Sequence, residues 1–552
     1  MPERNNINNN CSTCEGVHNI PSRCDVVIAG GGLGGLQCGY ILAKNGLDVC
    51  IVEKNPLLGG CLQSYRRRGA EGTLEFDAGM HYVGGLDQGQ PLNTLFQYFC
   101  LLDLPWVKMD PEAFDEVNIN GRSYMFANGH NAFVEKMSEY FPAQKENLKK
   151  YAAFLKEVGE SLPRSLSPKA AEDVFTGSLF ARSAQEFLQE TITDPLLREV
   201  LSGTSLKMEL GTNLPLYTFA QINNSFIESA YRLQGGGNLI ADALAAGIRK
   251  MGGTILTGCE VTEILPSGLY LANGEHIAAK HIISNLHPAT TINLVGEEAG
   301  LRKVYRNRIN RLENTFGMFT ANIALKPGMV PYLNRNQYVY SLGEGESMWA
   351  PFTGKGGDVS RVLVSYYSRG GAAASNAGAH FGSTTTQIAG APFGAGIPGC
   401  GIGNPLGGKG SALALDLLTP MNWEEVAQFE GSKVGHRPEE YNALKEEKLQ
   451  GCIKLASTII PGLEDAIERV YTSTPLTYRD YTATACGCAY GIRKDYSNLM
   501  LTLLTPKTPL ENLYLTGQSL NLHGVLGVSM TSFFTCAQII GMEAAVKDLK
   551  FE

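Results

Sequence analysis

The sequence predicts an α/β protein of two domains, and three observations carry that prediction. Residues Asp25 to Glu53 read as strand, glycine turn, helix and strand in register. Glycine clusters that open helices return at 234–239 and 517–524. At 552 residues the chain is too long for one compact core, and 44% apolar content supplies more than one.

In the first unit, Val26-Val27-Ile28-Ala29 is an apolar run long enough for one buried parallel strand. Gly30-Gly31-Gly32-Leu33-Gly34-Gly35 fits G-x-G-x-x-G, with Gly30, Gly32 and Gly35 at the three required places. Leu33, Leu36, Tyr40 and Ala43 follow at helical spacing, and Gly46 supplies a stop. A second strand, Val49 to Val52, ends on Glu53. Each part has a physical task. Gly30 allows the tight turn, Gly32 lets backbone N–H groups approach a pyrophosphate, and Gly35 lets helix and strand pack closely. The helix start turns unpaired N–H groups and its positive dipole end toward the phosphates. Glu53 accepts from ribose hydroxyls and disfavours a 2′-phosphate. With the glycines, Leu33 and Gly34 in this context, the unit is a Rossmann-like dinucleotide site.

Composition narrows the partners. A net charge of −8 gives no reason to expect nucleic acid. Thirteen cysteines without framework spacing suit a reducing compartment. Cys11 and Cys14 form a C-x-x-C without a second ligand pair, so no metal is expected. Residues 1–22 are polar and Asn-rich, read as a disordered tail with no signal-peptide core. No apolar run reaches the roughly 18 residues of a membrane span. A cytoplasmic location is expected, with peripheral contact at the inner membrane face left open.

Behind Glu53 the chain continues Lys54-Asn55-Pro56-Leu57-Leu58-Gly59-Gly60, a second close backbone approach, and later Phe76-Asp77-Ala78-Gly79-Met80-His81. Arg66-Arg67-Arg68 could neutralise phosphates or form a solvated cluster. The order GxGxxG, acid, Gly-Gly-x-x-x-Ser, Phe-Asp-x-Gly resembles the FAD-binding half of the phytoene desaturase, carotenoid isomerase and flavin amine oxidase superfamily. That resemblance selects FAD over NAD, held noncovalently. It places Lys54, Gly59, Gly60, Gly79, Met80 and His81 near the cofactor.

Residues 106–227 read as amphipathic helices broken near Pro142, with a capping box at Ser183 to Glu186. Gln234 to Leu239 opens another helix, followed by short strands at Thr254–Leu256, Val261–Leu265 and Leu269–Leu271. The resemblance puts the backbone near Val261 against the adenine. It also implies a discontinuous FAD domain of glutathione-reductase-like type, built from 23–105, 228–295 and 505–552. The substrate domain, mixed sheet plus helices, takes 106–227 and 296–504. Within it, 370–410 is glycine-rich and reads as a mobile loop between neighbouring strands, a passive insertion or a substrate lid. Cys486 and Cys488 read as packing residues and His287 as structural.

The final block, Leu513 to Gly527 and the helix after it, resembles the superfamily's flavin-end motif. Gly517, Gln518, Gly524, Val525 and Leu526 are thereby implied at the flavin, where a helix start stabilises charge on its reduced form. Gln518 stands where many relatives have Asp, and His523 where Pro is common. Within the superfamily the likeness is closest to all-trans-retinol 13,14-reductase and carotenoid isomerase. It implies hydride exchange at flavin N5 with a polyene carbon and proton movement at its neighbour. Reduction is the preferred direction, then isomerisation, then desaturation. The acid–base candidates are His81, Tyr490 and His523. An apolar small molecule is the expected partner, with NAD(P)H or another external donor; oligomeric state is not legible. A flavin amine oxidase and a lipid-binding protein like the Rab GDP-dissociation inhibitors are the competing classes.

Overall fold

A computed structural model describes residues 20–69, 72–167, 174–352, 354–367 and 410–551. The C-x-x-C at Cys11 and Cys14, most of the expected tail and residues 370–409 of the glycine-rich segment lie outside the described residues.

A seven-stranded sheet forms the first half, and distant parts of the chain meet in it. Its parallel centre orders Thr254–Leu256, Val49–Val52, Arg23–Ala29 and His276–Ser284. Leu513–Leu515 pairs parallel with the end of His276–Ser284, while Gly268–Leu271 and Val261–Leu265 continue antiparallel from that strand's beginning. Alternation along the first strand separates two cores. Val26 and Ile28 join Leu36, Ile41 and Phe533 on one face; Val27 and Ala29 join Ile282, Leu513 and Ile492 on the other. Helix Leu33–Lys44 covers one face beside helix Gly524–Ile540, and the Gln37 amide donates to Ser529 Oγ at 2.7 Å between them. The stop after the first helix is as read: Gly46 has φ +83°.

The second seven-stranded sheet runs Ile467–Ser473, Gly317–Leu325, Ala414–Met421, Arg361–Tyr367, Asn336–Tyr340, Asp115–Ile119, Arg122–Phe126. It is antiparallel except where Asn336–Tyr340 pairs with Asp115–Ile119. The strands flanking the glycine-rich segment, Arg361–Tyr367 and Ala414–Met421, are direct neighbours. The helices expected before residue 227 are present, including the break at Pro142 between His130–Tyr140 and Lys145–Gly159. Ser183 Oγ accepts from the Glu186 N–H at 3.2 Å, as a cap should. The hairpin Asp115–Ile119/Arg122–Phe126 was not expected in that region. Its turn residues Asn120 (φ +52°) and Gly121 (φ +85°) are the Asn-Gly pair that favours a two-residue hairpin.

Candidate active site

Three glycine turns meet to form one trough. Gly30, at φ +98°, takes the sharp turn after the first strand and donates to Val52 O at 2.8 Å. The Gly59 N–H donates to Gly31 O at 2.8 Å, which pairs Gly59 with Gly32 in a parallel bridge and brings Gly60 alongside. A Cβ on Gly60 would stand 3.4 Å from Gly32 Cα with no other neighbour within 4 Å, in space the glycines keep clear. Gly517 comes in from the C-terminal strand at φ +98°. Helices Leu33–Lys44 and Gly524–Ile540 both begin without a side-chain cap or a first-turn acid. Their first N–H groups stay available to an anion.

A cavity of about 460 Å³ runs along this trough. Its lining includes Gly30, Gly32, Leu33, Gly34, Glu53, Lys54, Gly59, Gly60, Gly79, Met80, His81 and Val261, and from the last block Gly517, Gln518, Gly524, Val525 and Leu526. Gly35 is absent from that lining and has another task. A Cβ there would sit 2.1 Å from Gly30 O, so its hydrogen lets helix and turn touch. Glu53 is buried; its Oε2 accepts from Gly31 N–H at 2.8 Å and its Oε1 from Asn55 N–H at 2.9 Å. The carboxylate therefore fastens the turn as well as facing the cavity. Arg66 to Arg68 sit on the ribbon Ser64–Gly69 outside the lining, where Arg66 pairs with Glu75 at 3.6 Å.

The three acid–base candidates line the same cavity but differ in freedom. The Tyr490 hydroxyl donates to the Leu206 carbonyl, and burial raises its pKa. His523 Nε2 donates to the Lys207 carbonyl at 3.1 Å, its ring lies 4.7 Å from that of Tyr490, and burial lowers its pKa to about 4. His523 bolts the 205–207 turn to the start of helix Gly524–Ile540, and Tyr490 bolts it to the segment around Gly491. His81 is different: neither ring nitrogen has a hydrogen-bond partner, and Nδ1 faces Asp416 Oδ2 at 3.4 Å. Asp416 is fully buried and accepts from Asn322 and Tyr367. His287 also reaches the cavity, but it caps helix Pro288–Leu294 through Ala289 N–H and bonds Asn314; burial lowers it to about 4. Cys486 and Cys488 are free thiols, and Cys488 is buried.

Two lining residues escaped the sequence reading. Asn285 follows the strand His276–Ser284 and lies among the glycine turns; Cβ atoms on Gly32, Gly34 and Gly517 would meet its side chain at 2.9, 2.6 and 2.9 Å. A polar residue directly behind a central parallel strand was the available signal. Lys207 sits in a loop with no motif around it. Its side chain is 8% exposed, 3.6 Å from Asp115, and burial lowers its pKa to about 8.

The profile of flavin containing amine oxidoreductases matches residues 33–304. All-trans-retinol 13,14-reductase of Danio rerio is 26% identical over 94% of this chain and 86% of its own, and that of Homo sapiens 23% over 96% and 88%. The chain is similar to these flavin-dependent oxidoreductases along nearly its whole length. Among solved structures, an oxidoreductase from Methanosarcina mazei superposes with TM-score 0.54 at 17% identity, covering 92% of this chain and 98% of that one. Putrescine oxidase bound to putrescine gives 0.56 at 14%, covering 94% and 99%. At those identities the likeness is of fold. The flavin-dependent assignment fits the trough: cleared glycine turns, two uncapped helix starts and a buried carboxylate are what a dinucleotide's phosphates and ribose require. Among the described residues no cluster could hold a metal ion, and no helix is long and apolar enough to cross a membrane.

Proposed function

We propose that this flavoenzyme reduces one C=C bond of an apolar polyene, as an all-trans-retinol 13,14-reductase-like saturase. The observation that carries the reading is the continuity of the cavity. The glycine trough opens without interruption onto an arm lined by Leu206, Ile222, Phe226, Met318, Leu363 and Leu418. An extended apolar chain fits such an arm, and relatives named for reducing retinol match nearly the whole length.

In this reading FAD is held noncovalently. The glycine turns and the N–H groups of both helix starts take the pyrophosphate and the flavin end, Glu53 the ribose, and the backbone at Val261 the adenine. When bound, the flavin supplies hydride at N5, recharged by an external donor such as NAD(P)H. The chain's own task is then to hold the double bond still, exclude water and deliver a proton. His81 is the group for the proton, because Tyr490 and His523 already donate to backbone carbonyls. Asp416, behind Nδ1, orients the ring. The intact trough counts against a flavin-free lipid carrier. The substrate reaches the protein from the cytoplasmic side, with peripheral contact at a membrane face.

The test is anaerobic incubation of chemically reduced enzyme with retinol, lycopene or phytoene in detergent, read by mass spectrometry. A gain of two hydrogens on retinol is expected; unchanged mass with altered geometry would mean isomerisation. Loss of two hydrogens with oxidised enzyme would mean desaturation. His81→Gln should retain flavin and slow the reaction by about 10²–10⁴-fold. No change in any polyene, together with flavin reduction by amines, would overturn the reading.

A further inference from the structure

Lys207 is the charged side chain of the apolar arm, and its surroundings are built. Its Nζ lies 3.6 Å from Asp115 Oδ2, 4.1 Å from the centre of the Phe226 ring and 5.8 Å from that of Tyr82. At 3.6 Å the ion pair is too long to be a hydrogen bond, which leaves the ammonium with donors in hand. Asp115 is fully buried and well occupied: the Tyr82 hydroxyl donates to Oδ2 at 2.9 Å and the Asn336 amide to Oδ1 at 3.2 Å. The Tyr82 hydroxyl is also 2.6 Å from that of Tyr338. Both Tyr82 and Lys207 line the cavity. The lysine is held in place from behind, since its carbonyl accepts from His523, which directly precedes the helix starting at Gly524.

A buried ammonium beside an apolar channel needs a polar ligand group to complete its shell. Which group follows from the charge count. Lys207 and Asp115 together are neutral, so the attraction of a carboxylate to the ammonium is offset by its repulsion from Asp115. A hydroxyl meets no such repulsion and accepts from the ammonium. A hydrocarbon terminus leaves the donors unmet.

We propose that the Lys207–Asp115 pair is the head-group anchor of the cavity, binding the hydroxyl terminus of a polyene alcohol and discriminating against both the carboxylic acid and the bare hydrocarbon. The proposal rests on the polyene reading above and adds its specificity determinant. Because the 205–207 turn is bolted to the helix start at Gly524, the anchor sits at the flavin end of the arm. The double bond nearest the hydroxyl is the one presented for reduction.

The experiment is equilibrium binding to oxidised holoenzyme, followed by quenching of tryptophan fluorescence, so that no turnover is required. The probes are all-trans-retinol, the corresponding acid and the corresponding hydrocarbon lacking the hydroxyl. The parent should bind the alcohol at least about tenfold more tightly than either analogue. Lys207→Met combined with Asp115→Asn removes both charges together and avoids stranding one. It should weaken alcohol binding about tenfold while leaving the hydrocarbon unchanged. Asp115→Asn alone leaves the ammonium uncompensated and should strengthen binding of the acid about tenfold. Unaltered ranking of the three ligands in both variants, with flavin content retained, overturns the anchor alone. Absence of binding of all three to the parent overturns the polyene reading and the anchor with it.

Discussion

Replacing Glu53 by Gln tests the cofactor site at its most constrained point. A carboxylate offers about four lone-pair positions. Two are filled by the Gly31 and Asn55 N–H groups at 2.8 and 2.9 Å, which leaves two for ribose hydroxyls. The amide of Glu53→Gln keeps the shape but has one oxygen and one NH2. One backbone N–H must then face a donor in a buried site, and a charge-assisted bond worth about 1.5–3 kcal/mol is lost. The flavin-free protein should therefore lose about that much unfolding free energy in urea. FAD affinity should fall separately by about 10–150-fold, as the same range applies to a ribose contact. Titration of stripped protein with FAD, followed by flavin fluorescence, measures the second effect. FAD bound as tightly as in the parent would remove the carboxylate from the ribose. Unchanged urea stability would show that it does not fasten the turn.

Three further outcomes follow from the geometry. Gly35→Ala puts a Cβ 2.1 Å from Gly30 O, against backbone that cannot move aside. It should cost about 1–3 kcal/mol or more and strip flavin from the purified protein; normal melting and full occupancy would contradict the packing. Tyr490→Phe removes a hydroxyl that bonds the Leu206 carbonyl, so it should lower stability by about 1 kcal/mol and keep most of the turnover. A thousandfold loss of rate with intact flavin would restore Tyr490 as the proton donor. Asp77 is held up to about 6 by burial, against its bond from the Gly237 N–H. Its folded form keeps a proton that the unfolded chain has already released, so stability from this group falls as pH rises from about 4 to about 6. Asp77→Asn should then be the more stable protein at pH 8, by about 1–3 kcal/mol, with the advantage shrinking below pH 6; a pH-independent difference in urea midpoint would refute the burial argument.

The dinucleotide trough was legible because glycine is the residue type whose absence of a side chain is itself the function. The spacing of Gly30, Gly32 and Gly35 translates directly into a turn, a cleared surface and a contact. The strands Thr254–Leu256 and Val261–Leu265 were legible for a simpler reason: short apolar runs between turn residues. The hairpin over 115–126 was missed because its strand carries Asp115, Glu116 and Asn118, all buried, where apolar alternation is the usual sign. Asp115 and Glu116 are satisfied by partners far off in sequence, Asn336 and Gln337, while Asn118 bonds Ser123 and Gly121 inside the hairpin, so the local sign was the Asn120-Gly121 turn and not the strand pattern. Lys207 was invisible likewise, since its chemistry comes from Asp115, Tyr82 and Phe226, which reach it from three separate segments. His523 and Tyr490 were found by proximity to a motif, which cannot reveal that their donors are already engaged.

The strand His276–Ser284 has a consequence for how the protein is made. Its end pairs with Arg23–Ala29 on one side and Leu513–Leu515 on the other. At about 5–20 residues per second, a ribosome needs roughly 25–100 s to travel from the first of these partners to the last. For the last roughly 11–46 s of that interval, from Ser284 to Leu513, the nascent sheet has an open parallel edge at Ile282 to Ser284, and helix Leu33–Lys44 lacks the helix Gly524–Ile540 that covers it. Apolar residues such as Ile283 and Leu36 then face solvent before their neighbours exist. Synthesis of this chain therefore has a long period in which a holding chaperone has something definite to hold, and truncation anywhere before Leu513 leaves the first sheet without the strand Leu513–Leu515.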